Sequence, residues 1–493
     1  MTVNFYNLTG SSGINSSLQY YVINSTQNSF QISNSPTGTP VSFVTDGTAN
    51  LLPYKTAIVS ITPRDSTITS LRFSFKHNTP QLVNNYKSGW LDIVVAIGTL
   101  QTLSFSTTIG GRHAMIERFR LLEAGGILDF SSLFSGCYRL QKIEIAPNIK
   151  CSTVNSMFNT CIGLKEAPFF DTSSATNASN MFNSCYILRY VPPYDLSLVT
   201  TTSNMFSNCY ELTSVPFFNT SKVENMSNMF SSCYALEYAP QLDTSKATDM
   251  TRMFQICNRL KSVPLYDTSN ATSFSNMFLN CYQLSEVPLF NTSKVTNMSG
   301  MFSSCWALES VPLFDTSSVT DMSSMFSSCN QLKSVPLFDT SKVTTMASMF
   351  NGCRRLLEVP AFNTPLLTNI NFMLGNCTTL QKIPLFNTSL VTNAAAFITN
   401  DHLLDSIPAF DLSSISSSAN ALSLTNTFIS RAQFTGQRFS FSVANNKLSA
   451  AALNEIYTNL PTVTGQTITV SGNYGVTSDN PAIATAKGWT VTG

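Results

Sequence analysis

Residues 301–322 read MFSSCWALESVPLFDTSSVTDM, and residues 325–346 repeat them almost unchanged as MFSSCNQLKSVPLFDTSKVTTM. The pattern extends in both directions with this 24-residue period and without insertions. A fixed period of this kind is typical of solenoids, in which each repeat forms one coil and buries its apolar face against the next coil. The sequence therefore predicts a stack of coils around one continuous core. The cysteines mark the period, at Cys137, Cys161, Cys185, Cys209, Cys233, Cys257, Cys281, Cys305, Cys329, Cys353 and Cys377.

One part of each repeat has the residue spacing of a short helix. Apolar side chains recur at intervals of three, three, one and three residues, which places them on one face of a helical turn. In one coil these residues are Val319, Met322, Met325, Phe326 and Cys329. Ser317 and Thr320 are candidate caps, because short hydroxyl side chains accept hydrogen bonds from free N–H groups. The pattern predicts a helical turn whose apolar face points inward.

The other part of each repeat resembles a β-strand. Leu332, Val335 and Leu337 match the L-x-x-L-x-L signature of leucine-rich repeats, and Phe338 closes the segment. Equivalent strands are expected to stack in parallel at about 4.8 Å. Proline recurs one position after Val335 and its equivalents and offers no N–H to a ladder, so regular pairing is expected to end near that valine. The repeats predict an α/β leucine-rich-repeat solenoid with a parallel β-sheet.

The flanking segments are expected to close the ends of the solenoid, since an open coil would expose its core. The pattern divides the chain into a β module at 1–62, a β-rich N-terminal cap at 63–129, the solenoid at 130–412 and an α/β C-terminal cap at 413–493. Alternating apolar residues predict upstream strands at 20–23, 30–32, 41–43, 71–75, 90–95 and 103–105. Downstream, the pattern predicts a helix, a strand, a second helix and a last strand, at 449–457, 466–471, 481–487 and 489–491.

The composition excludes several classes of function. Charged residues make up 11% of the chain and the net charge is +1. The chain therefore lacks the excess of positive charge that binds nucleic acid or an anionic membrane surface. The longest apolar stretch, 91–100, contains Asp92 and is too short to span a bilayer. The first residues lack the basic and apolar regions of a signal peptide. We therefore expect the protein to be made in a cytosol and to remain there or to leave by a non-classical route.

The column of cysteines could hold metal, form disulfides or pack as free thiols. Side chains in one column point the same way, an odd number cannot all pair, and no histidine accompanies them. Synthesis in a cytosol would also keep thiols reduced. We expect buried free thiols that act as small apolar packing units.

A column of aspartates offers a second candidate site, at Asp171, Asp195, Asp243, Asp267, Asp315 and Asp339. Stacked carboxylates bind calcium in some β-helical repeats. However, asparagine takes the same position at Asn219, Asn291, Asn363 and Asn387. Aspartate and asparagine share a turn-forming carbonyl oxygen but not a charge. The column is therefore expected to form turns, and the chain is expected to hold no metal.

The residue after the cysteine is aromatic in six coils and is the candidate ligand-binding position. These residues are Tyr138, Tyr186, Tyr210, Tyr234, Tyr282 and Trp306. Stacked coils would align the rings along one edge, where apolar faces and polar atoms suit stacking on sugars or contact with a protein partner. The alternative is that the rings only fill the turn between coils. Polar residues at the same position elsewhere indicate partial exposure, at Asn258, Asn330, Arg354 and Thr378.

Catalytic residues are not apparent. The three histidines, His77, His113 and His402, lie far apart in the sequence and have no metal or triad spacing. Gly110–Gly111 and Gly125–Gly126 have the character of turns, and no phosphate-binding glycine loop occurs. We therefore expect a protein that is not an enzyme and that needs no cofactor.

The phrase VPLFNTSKVTNMSGMFSSC at 287–305, which spans a repeat boundary, resembles the leucine-rich repeats of BspA-like bacterial surface proteins, and the resemblance extends over residues 130–412. The flanks resemble segments of bacteriophage tail and virion proteins, at 20–48 and 448–493. The resemblance implies a non-enzymatic virion protein that is assembled in the host cytoplasm and released by lysis. It would be a tail fibre or adhesin that recognises a host cell surface.

The resemblance also implies the partners of the chain. These are other virion proteins, contacted through residues 1–62, and a glycan or protein receptor on the bacterial surface. Nucleic acid and membrane are not expected as partners, and a homo-oligomer is possible. Two alternatives stay open: an architectural virion component, such as a capsid decoration or tail accessory protein, and a bacterial surface adhesin.

Overall fold

The computed structural model describes residues 116–493 and seven β-strands upstream of them. The strands are β1 (Thr2–Tyr6), β2 (Gln19–Thr26), β3 (Ser29–Ser33), β4 (Ile58–Thr62), β5 (Ser70–Ser74), β6 (Asp92–Ala96) and β7 (Thr102–Ser106). The first four form an antiparallel sheet in the order β3-β2-β1-β4. All four lie within the β module expected at residues 1–62. The strand predicted at 41–43 lies outside the described residues.

Parallel pairing of strands begins before the repeats. β5 pairs in parallel with β7, and β6 pairs in parallel with β8 (Arg118–Glu123). β8 pairs in turn with β10 (Lys142–Ile145), and its register joins Arg118 to Lys142, one period further on. β9 (Leu128–Asp129) and β11 (Cys151–Thr153) are likewise parallel. The period of the sequence is therefore the step from one coil to the next, which confirms the predicted solenoid.

One side of each coil is held to the next by main-chain hydrogen bonds. Alternate N–H groups cross to carbonyls of the following coil at 2.6–3.1 Å: Met322 to Thr345, Ser324 to Ala347, Phe326 to Met349 and Ser328 to Asn351. The intervening N–H groups close tight turns within the coil: Met325 to Met322, Ser327 to Ser324 and Cys329 to Phe326. Because the N–H of Ser323 donates to the Asp321 carboxylate at 2.8 Å, every N–H from 322 to 329 has a partner.

The helix predicted over this segment is wrong. Ser324 and Ser328 have φ angles of 54° and 59°, a left-handed conformation that does not occur inside a right-handed helix. Successive four-residue turns return the chain to the core at the same intervals of three and four residues as a helix does. The five predicted apolar residues are therefore buried as expected: Val319, Met322, Met325, Phe326 and Cys329. Ser317 and Thr320 consequently cap no helix, and the Thr320 hydroxyl donates instead to the Thr296 carbonyl at 3.2 Å.

The proline side of each coil has few main-chain bonds to its neighbours. The N–H of Lys333 donates to the Glu309 carbonyl at 3.1 Å, and isolated bridges replace the predicted strand. Leu337, which the leucine-rich-repeat signature groups with Leu332 and Val335, is 62% exposed, whereas those two residues and Phe338 are buried. The N–H of Phe338 donates to the Pro336 carbonyl at 3.0 Å, and this three-residue turn places Leu337 at its outer tip.

The core consists of columns of equivalent side chains, one from each coil. The ring of Phe326 stacks on that of Phe302 with centroids 5.7 Å apart. All twelve cysteines are buried and free, which confirms their packing role. The Cys329 thiol donates to the Phe302 carbonyl at 3.1 Å, and burial raises its pKa above the ordinary value.

The Asp-Thr-Ser segment forms a corner of the coil. The Asp315 carboxylate accepts the N–H of Ser317 at 3.1 Å, and the Asn291 amide oxygen accepts that of Ser293 at 3.2 Å. The two residue types make the same bond, which confirms their turn-forming role. Within residues 116–493 and the seven strands, no group of three His, Cys, Asp or Glu side chains is placed to hold a metal ion.

The C-terminal segment continues the parallel pairing and adds short helices. In chain order it contains β12 (Ser406–Asp411), a 3₁₀ turn (Ser418–Asn420), β13 (Arg431–Thr435), β14 (Phe441–Ser442), α1 (Ala450–Asn459), β15 (Gln466–Thr469), α2 (Ala482–Thr485) and β16 (Trp489–Thr492). Ser449 caps α1 by accepting the N–H of Ala452 at 3.2 Å. The two predicted helices and two predicted strands are thus confirmed.

In the described part of the chain, no helix combines the length and the apolar character needed to cross a bilayer.

Candidate functional site

The six aromatic residues that follow the cysteines lie along one edge of the solenoid, which we call the aromatic edge. Each cysteine points into the core, so the next residue leaves the turn and points outward. Tyr186, Tyr234 and Trp306 are 39%, 37% and 46% exposed. Tyr138, Tyr210 and Tyr282 are half-buried. The partial exposure predicted for this column is therefore present in the structure.

The structure brings five of the six rings into two stacks. Tyr210 lies between Tyr186 and Tyr234, with ring centroids 4.8 and 4.6 Å away and planes within 7° of parallel. Tyr282 and Trp306 form the second stack at 4.1 Å. Burial and the neighbouring phenols of Tyr234 and Tyr186 raise the pKa of Tyr210 above its ordinary value. Both faces of Tyr210 are thus covered by its neighbours.

The free ring faces lie at the ends of the two stacks. Asn258 separates Tyr234 from Tyr282, and Asn330 follows Trp306. Tyr138 lies two coils before Tyr186, and Ile162 occupies the position between them. A flat ligand can therefore meet ring edges along the stacks but ring faces only where a stack ends.

Polar, uncharged side chains border the aromatic edge on the turn side. Amide side chains of successive coils bond to one another, as from Asn208 to Asn183 at 3.4 Å and from Asn376 to Asn351 at 3.0 Å. Amides and hydroxyls both donate and accept hydrogen bonds, as the hydroxyl groups of sugars do. Aromatic rings beside such groups have the chemistry of a carbohydrate-binding surface.

Ion pairs between coils border the other side of the aromatic edge. Arg189 meets Glu211 at 2.6 Å, and Lys333 meets Glu309 at 2.6 Å. A hydrogen bond and the charge of Lys333 lower the pKa of Glu309. All four side chains are exposed, so these pairs add little to stability. Their effect is to neutralise most of the charge beside the aromatic edge.

A second exposed surface was not predicted from the sequence. Seven apolar side chains, each one position after a proline, are 58–69% exposed. They are Phe169, Phe217, Leu265, Leu289, Leu313, Leu337 and Leu385. We call them the Pro–Leu stripe. The proline before each residue could have indicated this surface in the sequence. Proline interrupts the main-chain hydrogen bonds between coils and allows the next side chain to point outward.

Equivalent rings lie closer together at the aromatic edge than beside the Pro–Leu stripe. Equivalent rings on the aromatic edge are 4.1–4.8 Å apart, whereas Phe314 and Phe338, which are buried beside the stripe, are 6.5 Å apart. Near the stripe, a threonine hydroxyl is inserted between coils, as from Thr316 to the Asp339 carbonyl at 2.8 Å. The close spacing allows the exposed rings to stack.

The repeats match one family model along more than half of the chain. Overlapping matches to the family described as "Mycoplasma protein of unknown function, DUF285" together run from residue 128 to residue 433. The chain belongs to the DUF285 family. The matched range contains the whole aromatic edge and the whole Pro–Leu stripe. No curated protein sequence matches the chain.

Several solved leucine-rich-repeat structures are similar to this DUF285 chain. A leucine-rich cell surface protein from Faecalibacterium prausnitzii is 18% identical, with 71% of this chain and 95% of that chain covered and a TM-score of 0.37. A leucine-rich repeat protein from Bacteroides ovatus is 14% identical, with 71% and 87% covered and a TM-score of 0.33. InlJ from Listeria monocytogenes, whose functional domain includes a cysteine ladder, is 13% identical, with 76% and 70% covered and a TM-score of 0.21.

Proposed function

We propose that this protein is a non-enzymatic adhesin that recognises a bacterial cell surface through the aromatic edge, and that it does so as a tail fibre of a bacteriophage. The observation that carries the proposal is the two exposed ring stacks from Tyr186 to Trp306. Rings held by neighbouring rings lose little conformational freedom when a ligand binds, which favours affinity. The bordering amides and hydroxyls supply polar contacts for a surface glycan or protein.

The adhesin role agrees with the leucine-rich-repeat solenoid fold. One similar structure is of a leucine-rich cell surface protein, and a location on a bacterial surface is the alternative to a virion. The virion setting is supported by the resemblance of residues 20–48 and 448–493 to phage tail proteins. In that setting residues 1–62 contact other virion proteins, and the particle is assembled in the host cytoplasm and released by lysis.

Adsorption of the purified protein to bacterial cells tests the adhesin role. The protein is labelled, mixed with a panel of bacterial strains and sedimented with the cells. We expect the triple variant Tyr210→Ala, Tyr234→Ala and Trp306→Ala to lose at least about tenfold in adsorption to the strains that bind the parent protein. The triple variant Leu265→Ser, Leu313→Ser and Leu337→Ser alters the other side of the coil and is the matched control. Equal adsorption by the aromatic variant and the parent contradicts the proposal.

The Pro–Leu stripe favours a second candidate function, that of an architectural virion component. Exposed apolar patches of this extent mark contact sites between proteins. A component that only builds the particle would not adsorb to cells, and its incorporation would depend on the stripe. Virions that carry the Leu265→Ser, Leu313→Ser and Leu337→Ser variant would then lose the protein, whereas virions that carry the aromatic variant would retain it.

Immunogold electron microscopy of intact particles tests the tail assignment itself. Labelling at the tail tip supports a tail fibre, and labelling across the capsid supports a decoration protein. Labelling of bacterial cells in the absence of particles supports a bacterial surface adhesin and contradicts the virion setting.

A further inference from the structure

We infer that one end of the aromatic edge is a subsite for a negatively charged sugar, a pyranose that carries a carboxylate or a phosphate. The subsite consists of Trp306, Asn330, Gln331, Arg354 and Arg355, and we call it the anionic subsite. The inference rests on the proposed function, because it specifies the class of sugar that the aromatic edge recognises.

Trp306 provides the stacking face of the anionic subsite. Its ring stacks on Tyr282 at 4.1 Å, which covers one face. Asn330 takes the equivalent position in the next coil, and an amide is much smaller than an indole. Trp306 therefore remains 46% exposed, more than any other residue of the aromatic edge. A sugar ring that stacks on the other face lies above Asn330.

Two adjacent amides form the floor of the anionic subsite. Asn330 and Gln331 are both half-buried. No other coil between 162 and 378 has amide side chains at both of these positions. Each amide offers an oxygen that accepts and an NH₂ group that donates, which matches the hydroxyls of a pyranose. The coil that follows Trp306 can therefore form hydrogen bonds to a sugar that stacks on the indole.

Two arginines follow in the next coil, about 10 Å from Trp306 at about 4.8 Å per coil. Arg354 and Arg355 are both exposed. Among the described residues, neither has an ion pair, whereas Lys333 is neutralised by Glu309 at 2.6 Å. Two adjacent positive charges therefore lie at this point of the edge without an ion pair, and the charge of Arg355 also acts on Glu309. The fork of a guanidinium matches a carboxylate or a phosphate, and an anionic group on the stacked sugar points toward it.

Saturation-transfer NMR with three small probes tests the anionic subsite on the full-length protein. The probes are methyl β-D-glucuronide, glucose 6-phosphate and neutral methyl β-D-glucoside. We expect at least one charged probe to bind about tenfold more tightly than the neutral one, with a preference that weakens as salt is added. Preference for the glucuronide indicates a carboxylate ligand, and preference for the phosphate ester indicates a phosphorylated one.

Variants separate the two halves of the subsite. We expect Trp306→Ala to abolish binding of all three probes, and Arg354→Gln with Arg355→Gln to reduce the charged probes to the affinity of the neutral one. Arg438→Gln, which changes an exposed arginine of the C-terminal segment outside the aromatic edge, is the control that should bind as the parent does. Circular dichroism and melting curves like those of the parent establish that each variant is folded.

Three results contradict the anionic subsite: no binding of any probe, equal binding of charged and neutral probes, or a charge preference that persists in the double arginine variant. The adsorption experiment distinguishes this failure from failure of the proposed function. Adsorption through the aromatic edge without a charge preference contradicts the subsite alone. A charge preference without adsorption to cells contradicts the adhesin role alone.

Discussion

The hydroxyl of Thr316 donates a hydrogen bond to the main-chain carbonyl of Asp339, one coil further along the solenoid, at 2.8 Å. The same bond joins Thr220 to Asp243, Thr244 to Asp267, Thr292 to Asp315 and Thr340 to Asn363, at 2.6–2.9 Å. The threonines are buried, and few main-chain bonds cross between coils near the Pro–Leu stripe. Side-chain hydroxyls thus replace main-chain pairing where proline interrupts it.

Removal of this hydroxyl is expected to destabilise the protein. Thr316→Val keeps the shape of the side chain but leaves the Asp339 carbonyl without its donor, which costs about 0.5–1.5 kcal/mol in the free energy of unfolding. Thr320→Val, on the exposed threonine column, is the control and should change stability by less than about 0.5 kcal/mol. Urea denaturation followed by circular dichroism measures both. Equal effects of the two variants would show that the bond from Thr316 to Asp339 has no special role.

The left-handed turn positions offer a stabilising substitution. Ile256 has a φ angle of 61°, which is unfavourable for a β-branched residue, whereas asparagine takes the equivalent position at Asn208, Asn280 and Asn376. Ile256→Asn is therefore expected to raise the free energy of unfolding by about 1 kcal/mol. Ile256→Val keeps the branched carbon and is expected to bring no gain. A loss of stability in the asparagine variant would contradict this account of the turn.

The stacking of coils could be predicted from the sequence, because the repeat period can be read without knowing the backbone conformation within a repeat. The helix could not be distinguished from consecutive turns, since both bring Met322, Met325 and Cys329 to the core at similar intervals. Leu337 and Phe338 are both apolar, and only the three-residue turn after Pro336 decides which of them faces outward.

The aromatic edge was located correctly from the sequence, but its division into two stacks depends on which coils lie in contact. The sequence places Trp306 and Arg354 at the same repeat position, two periods apart, and so predicts that they share one column. The 46% exposure of Trp306 and the absence of an ion pair at Arg354 among the described residues appear only in the structure.

Asp401 should make stability dependent on pH. It takes the position of the buried cysteines at the end of the column, and burial raises its pKa to about 8. The folded protein therefore binds a proton at Asp401 that the unfolded chain releases near pH 4, so the contribution of Asp401 to stability is greatest below pH 4 and falls as the pH rises toward 8. We expect a loss of roughly 2–5 kcal/mol over this range.

Asp401→Asn is the control for this pH dependence, because the amide does not titrate. Thermal unfolding at pH 5 and at pH 8 should differ clearly for the parent and much less for the variant. The same difference in both proteins would assign the pH dependence to another group.

The cysteines are expected to be unreactive in the folded protein. All twelve are buried, and burial raises the pKa of thiols such as Cys329 and Cys185, so the reactive thiolate is scarce. Titration with a thiol reagent should detect almost no thiol in native buffer and all twelve in denaturant. Fewer than twelve in denaturant would indicate oxidation and would contradict the packing role.

The equivalence of the coils is tested most directly by deleting one of them. Deletion of residues 366–389 removes one full period, joins Pro365 to Leu390 in register and leaves the aromatic edge and the anionic subsite intact. We predict that the shortened protein gives the circular dichroism spectrum of the parent and unfolds in one cooperative transition. Deletion of residues 366–377 removes half a period and should abolish that transition. Equal damage from the two deletions would contradict a solenoid of equivalent, stacked coils.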